Sequence, residues 1–292
     1  MTRQPVCLLL TRPLWQGADD ALADALRAAA PQKLPLGWSL RVVSTPLQRL
    51  VPIADSPLGS GSISCVPSNP AKRLLVATSP ASVEALGQLP ATEAAMLHAI
   101  SAGPSQWVLT GVGEASCFAL VDWFERQRHR TGQRYRIEGT PSIHCMPASA
   151  GSGAVPFLQW VRGSAVQPLE NCDALLLEAQ DNQPALFNGL TALGLRCQRL
   201  SLYRRIACPM PVIDLVPPEE LGVLVSSSNL VEPAVAGLAA QSIDPQKAFW
   251  LTHHPRIAEA LTAVVGCAVS PAIEGLAVAQ ILSGMARLNL RV

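Results

Sequence analysis

Short apolar runs alternate along this chain with longer stretches whose apolar positions recur at helical spacing. Val6–Leu10 is the first unbroken run. Ala18–Ala30 follows, with Leu22 and Leu26 on one face and charges at Asp19, Asp20, Asp24 and Arg27. Strand-like runs recur at Arg41–Ser44, Leu74–Ala77, Trp107–Leu109, Ala174–Leu177, Gln198–Leu202, Gly222–Val225 and Phe249–Leu251. Helix patterns lie at Val83–Leu89, Ala91–Ile100, Ala115–Arg128, Pro184–Leu193, Leu230–Ala239, Ile257–Val264 and Glu274–Leu288. Apolar strands alternating with helices predict an α/β protein of parallel sheets, each covered on both faces. The Ser-, Gly- and Pro-rich stretch from Pro52 to Lys72 reads as a surface loop.

The second half repeats the first. Leu8–Thr11 matches Leu175–Glu178 at an offset of 167, and Gly37 with its following strand matches Gly194 at 157. Thr78–Glu84 matches Ser226–Glu232 at 148, Gly113–Ser116 matches His254–Ile257 at 141, and Pro147–Gly151 matches Pro271–Gly275 at 124. Unrelated domains can share a rhythm, but five pairings in one order with steadily falling offsets describe a duplicated unit with longer loops in its first copy.

Composition narrows the possibilities. A length of 292 residues suits two domains, and 49% hydrophobic against 15% charged residues is enough to build two cores. A net charge of +1 is not that of a protein holding duplex nucleic acid through many phosphates. No window is apolar enough for a membrane span, and the run at Val6–Leu10 is too short for a signal peptide. The eight cysteines form no Cys-x-x-Cys pair or metal-ligand cluster. They read as buried free thiols in a reducing, cytoplasmic setting.

Candidate chemistry gathers where strands turn into helices, the carboxyl edge at which open α/β sheets bind ligands. Thr11 and Arg12 end the first strand; Thr78 and Ser79 end another; Ser226 and Ser227 do so in the second copy. Each Ser or Thr is either a plain helix cap or a contact to an anionic ligand at a helix N-terminus. Gly113 lets the chain turn tightly into a helix, with Ser116 in its first turn. The Gly111–Ser116 stretch lacks the third Gly and the Lys of a phosphate loop. No nucleophile elbow, zinc-protease motif or cofactor fingerprint occurs. The paired His253 and His254 read as a solvated turn rather than a shared metal site. Tyr is rare, at positions 135 and 203 only. Tyr203, read as ending a strand before Arg204 and Arg205, is either a cleft-facing proton donor or an amphipathic surface tyrosine.

Taken in order, Leu-Leu-Thr11-Arg12-Pro13, Thr78-Ser79-Pro80 through Glu84, Val112-Gly113 through Ser116, Tyr203-Arg204-Arg205, Ser226-Ser227 through Glu232, Pro255-Arg256 through Ala260 and Ile273-Glu274-Gly275-Leu276 resemble uroporphyrinogen-III synthase over nearly the whole chain. The resemblance implies two flavodoxin-like lobes joined by a two-stranded linker, with the first βα segment in the C-terminal lobe. The lobes would be 1–47 plus 205–292, and 48–204, with the active site in the cleft between them. It implies cofactor-free, metal-free cyclisation of hydroxymethylbilane with inversion of ring D through a spiro intermediate. It also implies a cytoplasmic monomer that receives substrate by transient handover from porphobilinogen deaminase. Tyr203 would be the general acid, Ser116 would stand where the family carries a Thr, and Thr11, Arg12, Thr78, Ser79, Gly113, Ser226 and Ser227 would contact substrate. Ile257, His254 and the Glu178–Asn182 turn depart from the family pattern. These departures leave room for a second possibility, a non-catalytic two-lobed binder of an anionic tetrapyrrole or other small ligand. A nucleotide-sugar transferase would need a donor loop that the sequence lacks.

Overall fold

The computed structural model describes residues 4–35, 37–53, 72–130, 140–151, 153–163, 172–216, 219–269 and 273–289. The loop expected from Pro52 to Lys72 falls almost wholly outside them, as do Cys65, Tyr135, Pro271 and Ala272. Along the chain, β1 (Gln4–Leu10), β2 (Leu14–Trp15), α1 (Ala21–Lys33), β3 (Trp38–Ser44) and β4 (Gln48–Pro52) come first. Then follow β5 (Arg73–Ala77), α2 (Pro80–Gly87), α3 (Pro90–Ser101), β6 (Trp107–Gly111), α4 (Glu114–Arg130), β7 (Ser142–Ile143) and α5 (Ala154–Gly163). The remainder is β8 (Asp173–Ala179), α6 (Ala185–Ala192), β9 (Arg196–Ala207), β10 (Glu220–Leu224), α7 (Val231–Ala239), β11 (Phe249–Leu251), α8 (Pro255–Val265) and α9 (Val278–Asn289). Every strand and helix read from the hydrophobic pattern is present. The pattern missed α5, in which Pro156 reads as a breaker but falls in the first turn, where a proline costs no helical hydrogen bond. Phe157, Trp160 and Val161 supply its helical spacing.

The chain divides into two compact units, Met1–Leu50 with Ile206–Val292, and Val51–Arg205. In the first, four parallel strands lie in the order β11-β10-β1-β3. Strand β1 is central, and Val6–Leu10 are at most 1% exposed. Cys7 and Leu9 pack under α7 and α8, while Val6, Leu8 and Leu10 pack under α1 and α9. A strand covered on both faces has no polar side to show, which is why this run is unbroken.

In the second unit, β9, β8, β5, β6 and β7 run parallel in that spatial order, within a sheet that continues through β4 to β2. Leu74, Val76, Val108, Ala174 and Leu176 meet α5 and α6 on one face. Leu75, Leu109 and Leu177 point the other way and are buried, on the side where α2 and α4 pack. Two strands carry the chain across the division, β4 after Leu50 and β9 after Arg205. They run antiparallel, since the Ile53 N–H donates to the Leu202 carbonyl and the Cys208 N–H to the Leu47 carbonyl.

The duplication is visible in the sheets. Matching β1 with β8, β3 with β9, β10 with β5 and β11 with β6, as the offsets do, gives both sheets one spatial order. Each sheet reverses its direction of winding once, between β1 and β10 in the first unit and between β8 and β5 in the second. A crevice outside the carboxyl ends of the strands opens at such a point.

Candidate functional site

In the second unit the turns after β5 and β8 carry a closed set of polar contacts. The Thr78 hydroxyl donates to the Leu177 carbonyl at 2.9 Å. Ser79 caps α2: its Oγ accepts from the Ser82 N–H at 3.2 Å, and the Ser82 side chain reaches back to the Ser79 backbone. The same Oγ lies 3.2 Å from the Tyr203 hydroxyl. Tyr203 does not end a strand, because β9 runs on to Ala207. Nor does it sit on the surface: it is 1% exposed.

Arg205 lies two residues further along β9, on the same face as Tyr203. Its Nη2 donates to the phenol oxygen at 3.4 Å and to Asn182 Oδ1 at 3.2 Å, and its Nη1 reaches Asp181 at 3.0 Å. The guanidinium sits 5.6 Å from the Tyr203 ring centre. Asn182 Nδ2 donates to Thr78 Oγ1 at 3.3 Å, which completes the ring. Beside it, burial pushes the Glu178 carboxyl above its ordinary value, against the pull of its ion-pair partner Arg199. Arg205 stood in the Tyr203-Arg204-Arg205 motif, and Asp181 and Asn182 in the departing Glu178–Asn182 turn, but none of the three was expected to be a site residue. The signal for Arg205 was its two-residue spacing from Tyr203 on a strand.

The adjacent turn comes from β6. The Val112 N–H donates to the Ala77 carbonyl at 2.9 Å, which sets this turn beside Thr78. Gly113 turns the chain at φ +110°, and Ser116 is buried in the first turn of α4. Gly111 has a role the sequence did not reveal, since a Cβ there would lie 2.4 Å from the Cys117 nitrogen. Cys117 is bonded to Cys145, which corrects the expectation that the cysteines are free. Two cysteines far apart in sequence give no sign that the fold brings their Cα atoms to 5.7 Å. Cys7 and Cys172 are buried free thiols, whereas Cys267 is exposed.

In the first unit, Thr11 is fully buried and its hydroxyl donates to the Leu224 carbonyl at 2.8 Å. That contact joins the ends of β1 and β10, and Ser226 and Ser227 follow directly after β10, both half-buried. Arg12 pairs with Asp20 at 2.5 Å. Asp20 caps α1 through the Ala23 N–H and accepts from Ser44 at 2.7 Å. Burial alone would raise the Asp20 carboxyl, but Arg12, Ser44 and the Ala23 N–H outweigh it and hold the group below its ordinary value. His254, read from the sequence as part of a solvated turn, caps α8 by accepting the Arg256 N–H on Nδ1 at 3.1 Å. Its neighbour His253 is held below the ordinary histidine value, mainly by burial and then by the charge of His254. Ile257 is a core residue, 3% exposed.

Among the described residues no group of three or more His, Cys, Asp and Glu side chains could hold a metal ion, and no helix is long and apolar enough to cross a membrane.

Parallel sheets with polar turns at their winding reversals define a two-unit α/β protein of the doubly wound kind. No protein-family model and no curated protein matches the chain. Solved structures do match. A mutant uroporphyrinogen III synthase from the extremely thermophilic bacterium Thermus thermophilus superposes with a TM-score of 0.54 at 15% identity, covering 98% of this chain and 100% of that one. The uroporphyrinogen-III synthetase of Helicobacter pylori gives 0.46 at 13% identity, over 96% and 98% of the two chains. The fold of this chain is that of uroporphyrinogen III synthase.

Proposed function

We propose that this protein makes uroporphyrinogen III by cyclising hydroxymethylbilane, as a cytoplasmic, cofactor-free monomer supplied by porphobilinogen deaminase. The observation that carries this reading is the hydroxyl pair of Ser79 and Tyr203 inside a ring of polar contacts at the β5/β8 reversal, on a fold shared with uroporphyrinogen III synthase. The substrate contains its own electrophile and nucleophile. Loss of its hydroxyl as water leaves an azafulvene, which the substituted carbon of ring D attacks. The resulting spiro intermediate fragments and recloses with ring D inverted. A protein must then hold the chain ends in register and protonate one leaving hydroxyl. Helix N-termini at Ser79, Gly113 and Ser227 suit the carboxylates of such a substrate. Tyr203 is the source of the proton, Arg12, Thr78 and Ser226 line the binding turns, and the buried Thr11 and Ser116 lie beneath them.

The burial of Ile257 and the engagement of His254 as a cap favour a second reading, in which the protein binds an anionic tetrapyrrole without turnover. Incubation with porphobilinogen and porphobilinogen deaminase, followed by oxidation, separates the two. Type III product above the spontaneous type I background supports the synthase. Type I alone, with thermal stabilisation by the tetrapyrrole, supports the binder.

A further inference from the structure

We infer that Ser79 is the group that meets the leaving hydroxyl, and that Tyr203 acts through it as the inner member of a two-hydroxyl relay. This rests on the synthase reading above. Tyr203 is 1% exposed, which leaves its phenol no open face for a substrate oxygen. Ser79 is half-buried, 3.2 Å from that phenol, and fixed in place by its capping box. Its Oγ already accepts the Ser82 N–H, so its hydrogen and second lone pair serve the groups on either side.

Arg205 completes the device as a positioning residue. A guanidinium only donates, so its 3.4 Å contact is to a lone pair of the phenol oxygen and not to the phenol hydrogen. Asp181 and Asn182 hold the guanidinium there.

The step balances as follows. As the C–O bond of the hydroxymethyl group breaks, the Ser79 proton moves to the departing oxygen, which leaves as water. The Tyr203 proton moves to Ser79 Oγ in the same event. The phenolate then rests beside Arg205, and the proton released when the macrocycle closes returns along the same pair.

The test is the rate of type III formation by the full chain and its variants. Ser79→Thr, which retains both cap and hydroxyl, should recover part of the rate that Ser79→Asn loses. Ser79→Asn still caps α2 but has no hydroxyl, and it should lose at least about tenfold in kcat with little change in KM. Tyr203→Phe should lose a similar factor, and the double variant should lose no more than either single one. Arg205→Gln should lower kcat in the wild-type background and have no further effect in Tyr203→Phe. Wild-type kcat in Ser79→Asn, or losses that multiply in the double variant, would overturn the relay while leaving the synthase reading intact. Type I product alone from the wild type would overturn the synthase reading and the relay with it.

Discussion

Asp20 gathers hydrogen bonds from Arg12, Ser44 and the Ala23 N–H while almost closed off from water. Its carboxyl holds its charge to lower pH in the folded chain than in the unfolded one. The stabilisation is therefore complete above the unfolded carboxylate range, and it fades as pH falls through the depressed folded value. Urea midpoints measured from pH 7 to pH 3 should fall less steeply in Asp20→Asn than in wild type, from a lower starting point at pH 7. An unchanged acid limb would remove Asp20 from the acid response. Residues of this kind were only partly legible in the sequence. Thr11, Thr78 and Ser79 could be placed at strand ends because the strand pattern ends there. What each hydroxyl bonds could not be read, since the partners of Thr11 and Tyr203 lie 213 and 124 residues away. Ile257 was identified as a departure from the family pattern, but its burial against Leu230 and Leu261 emerges only when α7 and α8 are packed together.

The elements were more legible than the contacts between them. A strand covered on both faces advertises itself as an unbroken apolar run, whereas β2 and β7 are two residues each and carry no period. The turn into α4 depends on three features: Gly113 at positive φ, the bare Cα of Gly111, and the bond from Cys117 to Cys145 just beyond β7. That bond closes a loop of 28 residues. On chain-entropy grounds such a closure is worth at most roughly 3–4 kcal/mol. Cys117→Ser, or treatment of the native protein with a dithiol, should lower the unfolding midpoint accordingly. Alkylation of the untreated, denatured chain should leave Cys117 and Cys145 unmodified. Labelling of both without reductant would show them to be thiols in the purified protein.

At the scale of the whole molecule, the falling offsets and the shared strand order describe one duplicated fold. Sequence repetition by itself suggests a cut at mid-chain, because it compares segments without regard to partners. The compact units instead divide after Leu50 and after Arg205, since β1 finds β10 beside it rather than any strand of the second unit. Resemblance to a family could suggest that division; the offsets alone could not, because they say which segments are alike and not which strands pair.

The pairing of β1 with β10 also sets an order of events during synthesis. When β1 and β3 leave the ribosome, the strand that must lie on the other side of β1 has not been made. Roughly 150 residues of the second unit come first, about 8–30 s of translation. A nascent chain stalled before β10 should therefore protect β5, β6, β8 and β9 from proteolysis while leaving β1, whose Val6–Leu10 run is buried in the finished sheet, open to cleavage. Through that interval β1 has one free edge, and β10, made about 210 residues later, decides whether that strand reaches its buried place.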